Sequence, residues 1–129
     1  MISPLFLPYD IYSRHRRIAE LITTPGSILD VGGSVRELRR FVPNPLTTVD
    51  VIGGDVIYNG IKLPFKHKSF PIVVSIDTLE HIPRSRRTAF LAELARVAQK
   101  QIILAAPIGT TTHIESELKL LKHYPDDTY

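Results

Sequence analysis

Two aspartates and a glycine pair are the residues of this chain best placed to hold a ligand. Residues 27–50 read SILDVGGSVRELRRFVPNPLTTVD. Ile28, Leu29 and Val31 form a short apolar run suited to a buried strand. Gly32 and Gly33 stop it, and Val35, Leu38 and the Phe41-Val42 pair then recur at helical spacing. A second strand follows and ends on Asp50. In an open parallel sheet, ligands sit outside the carboxyl ends of the strands, and Asp30, Gly32, Gly33 and Asp50 would converge there on a nucleotide-sized pocket.

The charge of that pocket narrows the choice of nucleotide. A dinucleotide fingerprint counted from Gly32 needs further glycines where Ser34 and Glu37 stand. A pyrophosphate also needs the bare positive end of a helix, but Asp30 lies on one side of the turn and Glu37 in the first turn of the helix. Two nearby carboxylates repel phosphate and welcome a cation, so a nicotinamide dehydrogenase is a distant third reading. A nucleoside with a positive charge, an amino group and no phosphate fits better, and S-adenosylmethionine is the common one. Asp50 is then placed to accept hydrogen bonds from both ribose hydroxyls. Taken singly, a glycine pair is often a plain turn and a strand-end Asp a solvated cap; the combination carries the argument.

From Asn59 the chain continues NGIKLPFKHKSFPIVVSIDTLEHIPRSRRTAFLAELARVAQKQIILAAP. With the first segment, this resembles the class I S-adenosylmethionine-dependent methyltransferases, type 11-like, marked by LPF…SF…V…LEH, over about residues 27–107. In the family motif D-x-G-x-G-x-G, Asp30 and Gly32 match, while Ser34 and Arg36 stand in place of the second and third glycines. The resemblance makes Asp50 the ribose-binding acid and puts Asn59 where an Asp often meets the adenine amino group. It also puts the Leu63-Pro64-Phe65 loop beside the adenine, with Gly60 letting the backbone pass close to the base. The implied cofactor set is Asp30, Gly32, Gly33, Ser34, Asp50, Val51, Asn59, Gly60 and Leu63, for S-adenosylmethionine and its product S-adenosylhomocysteine. Leu63 and Phe65 equally suit a plug in the core between the third and fourth strands. Pro71 replaces a usual Asp and, lacking an N–H, suits the start of a strand. The run AQKQIIL replaces a Pro-Gly-Gly turn, a variant of relatives linked to glycan-associated methylation.

Methyl transfer needs an acceptor held in line and, for a hydroxyl or ammonium acceptor, a base. His81, in TLEHIP after the fourth strand, is the first candidate, because an imidazole ordinarily titrates near neutrality; a packing or loop role for Leu79, Glu80 and His81 is the alternative. Asp77 is the next candidate, or equally a strand-end acceptor, and His113 is expected to bond locally. The five histidines lack metal-ligand spacing, so no metal is expected. Two functions follow. The first is a methyltransferase acting on a small-molecule or glycan-linked acceptor; the second is a catalytically silent cofactor-binding or structural module of the same fold.

The elements that must position these residues alternate between strand and helix. The spacing predicts a leading helix over 9–24, strands over 27–31, 46–51, 55–58, 72–76 and 101–105, and helices over 35–41 and 86–98. The third strand follows the second by a shortened crossover with no helix. The expected fold is α/β: a Rossmann-like, doubly wound, mostly parallel sheet of about five strands with a leading N-terminal helix. A single domain spans 1–129, with a helical lead at 1–25, a cofactor core at 26–107 and a C-terminal segment at 108–129. That last segment offers one amphipathic stretch, 114–121, where the family fold ends in an antiparallel strand pair, so the pair is expected to be missing. A fragment, a natural short form or completion by a second chain would each account for it, and an open edge makes a homodimer one expectation.

Composition adds class limits. There is no cysteine, hence no disulfide framework, and no apolar run of membrane-spanning length. The opening MISPLFLP lacks a basic flank and a cleavage site, so the expected location is cytoplasmic. The formal charge of +3 comes from scattered basic clusters at 14–17, 66–68 and 84–87 without interleaved aromatics. They read first as solvated faces; no nucleic-acid partner is expected, and an anionic acceptor is the functional reading.

Overall fold

β1 (Ile28–Val31) is buried along its whole length and pairs in parallel with a strand on each side, β2 (Leu46–Asp50) and β4 (Phe70–Ile76). The computed structural model describes residues 9–33 and 37–106. β3 (Val56–Ile57) extends the sheet beyond β2, and β5 (Ala98–Ala105) extends it beyond β4. The order is β3-β2-β1-β4-β5 with every pair parallel. This is the doubly wound arrangement expected above, with β1 central because its apolar run has no face to show to water.

Both faces of the sheet are covered. On one, α1 (Tyr9–Leu21) brings Ile18 against Ile28, Ile72, Val74 and Ile103, with Leu38 beside them. On the other, α2 (Arg84–Val97) packs Phe90, Leu91, Leu94 and Val97 onto Leu29, Val31, Val49, Val73 and Leu104. Alternate residues of β1 thus serve opposite layers, Ile28 one and Leu29 and Val31 the other. No helix among the described residues is long and apolar enough to cross a membrane.

Several boundaries differ from the expected ones. Of the helix expected over 35–41, the described part, Glu37–Arg40, is a 3-10 turn, carried on by the Phe41 N–H on Leu38 O at 2.9 Å, and Val42 before Pro43 is steered out of helical geometry; residues 34–36 lie outside those described. The leading helix ends at Leu21, ahead of the Pro25-Gly26 break. β4 begins at Phe70, so Pro71 is its second residue, and the strand tolerates it because pairing with β5 shifts register between Phe70 and Ile72. α2 starts two residues early, at Arg84, where Pro83 has no N–H to lose. β5 follows it directly at Ala98, with exposed Gln99 and Lys100 hiding the strand from a hydrophobicity reading. Residues 108–129, including the amphipathic 114–121, His113 and the final strand pair expected to be missing, lie outside the described residues.

The crossover from β2 to β3 contains no helix, as expected, and side chains close it. Thr48 donates its N–H (3.0 Å) and hydroxyl (3.3 Å) to Asp55 Oδ2, and its hydroxyl accepts the Asp55 N–H at 2.9 Å. Arg39 lies 3.6 Å from the same carboxylate. β3 then pairs with β2 only at Val49↔Val56 and Asp50↔Ile57, with Tyr58 N–H reaching Asp50 O at 3.0 Å.

Candidate cofactor site

The carboxyl ends of β1, β2 and β4 meet at one rim. β1 runs out into Gly32, which has φ +87 and donates its N–H to Val49 O at 2.7 Å. A Cβ at Gly32 would lie 2.0 Å from Thr78 Oγ1. A Cβ at Gly33 would lie 2.4 Å from the Asp30 carboxyl carbon. The glycine pair is therefore required twice over: the first residue turns the chain under Thr78, the second lets the backbone lie against Asp30.

Asp30 is 3% exposed, and its Oδ1 has no hydrogen-bond partner among the described residues. Burial, and after it the charge of Asp50, pushes its carboxyl up to about 7. Asp50, last residue of β2, accepts the Val51 N–H on Oδ1 at 2.6 Å. The predicted pair thus faces one electrostatic field, a desolvated carboxyl next to a second acid. Such a field costs free energy until a cation or a proton answers it.

Apolar side chains flank Asp50. Val51 is 49% exposed, Ile52 85% and Ile61 63%. Gly60 brings its backbone against Val51, since a Cβ there would meet Val51 Cγ1 at 3.3 Å. Val51 and Ile52, exposed branched side chains next in sequence to an acid, suit the face of a base above a ribose. The sequence singles out Val51 and Gly60. Ile52, Ile61 and Tyr58 were not singled out there. The Tyr58 hydroxyl is pushed above its ordinary range by burial and by Asp50, with Arg86 pulling the other way.

Two predicted residues have structural roles. Asn59 Oδ1 accepts the N–H groups of Ile61 (2.8 Å) and Lys62 (3.0 Å), so its carbonyl shapes the loop. Leu63 is 2% exposed and sits in the core layer under α2, as its plug reading expected. Ser34 lies outside the described residues.

At the end of β4, Asp77 has φ +55 and is held from two sides. Its N–H donates to Ala105 O at 2.7 Å, and Oδ2 receives Arg14 Nη2 of α1 at 2.7 Å. Thr78 donates toward Ile76 O (3.2 Å) and Val31 O (3.4 Å), and Ser75 to Val31 O at 3.0 Å, which ties β4 to the glycine turn. His81 closes the 3-10 turn Leu79–His81 and is exposed, while Leu79 is buried and Glu80 Oε1 is buried without a hydrogen-bond partner among the described residues. Arg14 had no local signal in the sequence; its partner is 63 residues away.

With this geometry in place, comparison with known proteins gives a consistent answer. A family described as "Methyltransferase domain" matches residues 30–106, over half of the chain. The chain belongs to that family, the S-adenosylmethionine-dependent methyltransferases of class I, whose cofactor is S-adenosylmethionine. Among solved structures it is similar to a candidate methyltransferase of Bacillus halodurans C-125, at 20% identity and TM-score 0.57, covering 89% of this chain and 55% of that one. It is also similar to a protein of Pyrococcus horikoshii OT3, at 17% identity and TM-score 0.63, covering 90% and 65%. A third, described as a candidate S-adenosylmethionine-dependent methyltransferase of Methanococcus maripaludis, stands at 14% identity and TM-score 0.53, covering 90% and 67%. These likenesses show the fold. The chain spans 55% and 65% of the first two structures it resembles. None of the curated proteins matches it.

Proposed function

We propose that this chain binds S-adenosylmethionine at the β1–β2 rim and methylates a small-molecule or glycan-linked acceptor. The observation that carries the reading is buried Asp30, its Oδ1 without a partner, beside Asp50 at a glycine turn that admits no Cβ. Those residues fit a cationic nucleoside: Asp30 and Asp50 offer negative charge, Gly32 and Gly33 offer a close backbone, and exposed Val51 and Ile52 offer an apolar wall. In this reading Asp50 accepts the ribose hydroxyls, and residues 59–61 shape the base-binding loop. Leu63 acts from beneath by anchoring that loop, and Ser34 borders the turn. When bound, S-adenosylmethionine supplies a methyl group already activated by the sulfonium. The chain's own part is to orient the acceptor and remove its proton. His81, exposed on the rim after β4, takes that proton. Asp77, held by Arg14, positions the rim and is the second candidate.

Calorimetric titration with S-adenosylmethionine and S-adenosylhomocysteine tests this, with Asp50→Ala as control. Saturable binding that weakens at least about fivefold in the variant, the equivalent of about 1 kcal/mol, is expected. Unchanged affinity in Asp50→Ala removes the ribose assignment, and no binding by a folded wild-type chain removes the reading.

A further inference from the structure

Glu93 and Arg96 lie on α2, and neither belongs to a motif that the sequence assigns to the cofactor. Their polar contacts nonetheless converge on one loop. Glu93 Oε1 accepts the Leu63 N–H at 2.7 Å. Arg96 donates Nη2 to Leu63 O and Nη1 to Phe65 O, both at 2.9 Å. The two side chains pair with each other in a fork, Nε to Oε2 at 2.7 Å and Nη2 to Oε1 at 3.0 Å. The Arg96 carbonyl then accepts the Lys68 N–H at 2.8 Å. Both backbone groups of Leu63 are thus fixed by one ion pair, and both side chains are mostly buried, at 16% and 17% exposure.

The loop needs this anchoring. Residues 58–69 contain neither helix nor strand, so no ladder of their own fixes their path. At one end Tyr58 N–H holds to Asp50 O, in the middle Asn59 Oδ1 folds the turn, and at the far end Leu63 enters the core. Between those points Gly60 brings its backbone against Val51, the residue that follows the acid Asp50. Burial alone would raise the Glu93 carboxyl, yet the hydrogen bonds from Arg96 and Leu63 bring it below its ordinary range, so it stays a charged acceptor.

We propose that the Glu93–Arg96 pair is a positioning device for the nucleoside loop, and that by fixing Leu63 it sets affinity for the adenosine end shared by S-adenosylmethionine and S-adenosylhomocysteine. This rests on the cofactor reading above. A loop held in its binding geometry before the ligand arrives loses less freedom on binding, and that difference appears in affinity rather than in any new contact. Lysine at position 96 keeps the charge but cannot bridge two carbonyls and a carboxylate at once. Glutamine at position 93 keeps an acceptor for Leu63 N–H and loses the ion pair.

The full 129-residue chain, wild type, Arg96→Lys, Glu93→Gln and Glu93→Ala, is titrated with both ligands well below each melting temperature. The expected result is a loss of tenfold or more in Arg96→Lys and Glu93→Ala, equal for the two ligands, with Glu93→Gln intermediate. A merely structural role lowers the melting temperature and leaves these affinities alone; that outcome, with wild type binding normally, overturns this inference only. Wild type that fails to bind overturns the cofactor reading itself. Amide hydrogen exchange without ligand gives a second check: Arg96→Lys is expected to exchange faster than wild type at residues 61–63, whose N–H groups are bonded in the free chain, and equal exchange there also overturns the proposal.

Discussion

Asp30 ties together the packing and the electrostatics of the rim. Its carboxyl is raised from 3.8 to about 7, chiefly by burial, so the folded chain holds this proton more tightly than the unfolded one. The resulting contribution to stability is fully present below about pH 4 and is lost as pH rises to about 7. In Asp30→Asn that contribution cannot vary, so the variant's melting temperature is expected to gain on wild type between pH 5 and pH 8. Parallel melting curves would show otherwise. A cationic ligand favours the ionised form, so S-adenosylmethionine is expected to expel a proton on binding near neutrality and to bind less tightly as pH falls below 7. Titration in two buffers of different ionisation enthalpy counts that proton, and identical heats in both would remove the coupling. The base assignment is separate: His81→Ala is expected to lower turnover on the acceptor and to spare cofactor affinity, whereas equal turnover returns His81 to a loop role.

At the scale of elements, the short link between β2 and β3 is the departure from a regular crossover. Parallel neighbours ordinarily need a dozen or more residues between them. Here Asp55 and Thr48 exchange three hydrogen bonds and hold the loop down against a fully buried threonine. Asp55→Ala leaves the Thr48 N–H and hydroxyl short of a partner, and a loss of about 1–3 kcal/mol by denaturant titration is expected. A smaller change would mean that water replaces the carboxylate. The strands β1 and β4 and the buried face of α2 were legible because apolar runs and a 3.6-residue period are local signals, and β2 because Leu46, two β-branched threonines and Val49 follow a proline turn. The places of Asp30 and Gly32, at the end of a strand and the break after it, and of Asp50, last in its strand, were local in the same way. The early start of β5 was not, since Gln99 and Lys100 sit exposed inside a strand. Nor were the Arg14–Asp77 and Arg96–Leu63 contacts, which join residues 63 and 33 positions apart and leave no periodic trace.

In the molecule as a whole, the core and the loop proposed to hold the nucleoside meet in the layer under α2. Leu94 is fully buried there among Leu29, Val73 and Leu63, and Leu63 also anchors the loop over the rim. Truncation to alanine removes its packing and opens a cavity, a change that costs about 2–5 kcal/mol in such cores. Against a total stability of about 5–15 kcal/mol, that loss lowers the melting temperature strongly without touching the rim. If the rim is a cofactor site coupled to a fold that remains intact, ligand must return part of it: S-adenosylhomocysteine at a hundred times its Kd stabilises by about 2.7 kcal/mol. The expected outcome is a Leu94→Ala chain that melts well below wild type and rises on adding the ligand by as much free energy as wild type does. A rise in wild type but none in Leu94→Ala would mean that the layer under α2 and the rim are one cooperative unit, so that the cavity destroys the site rather than only weakening the fold.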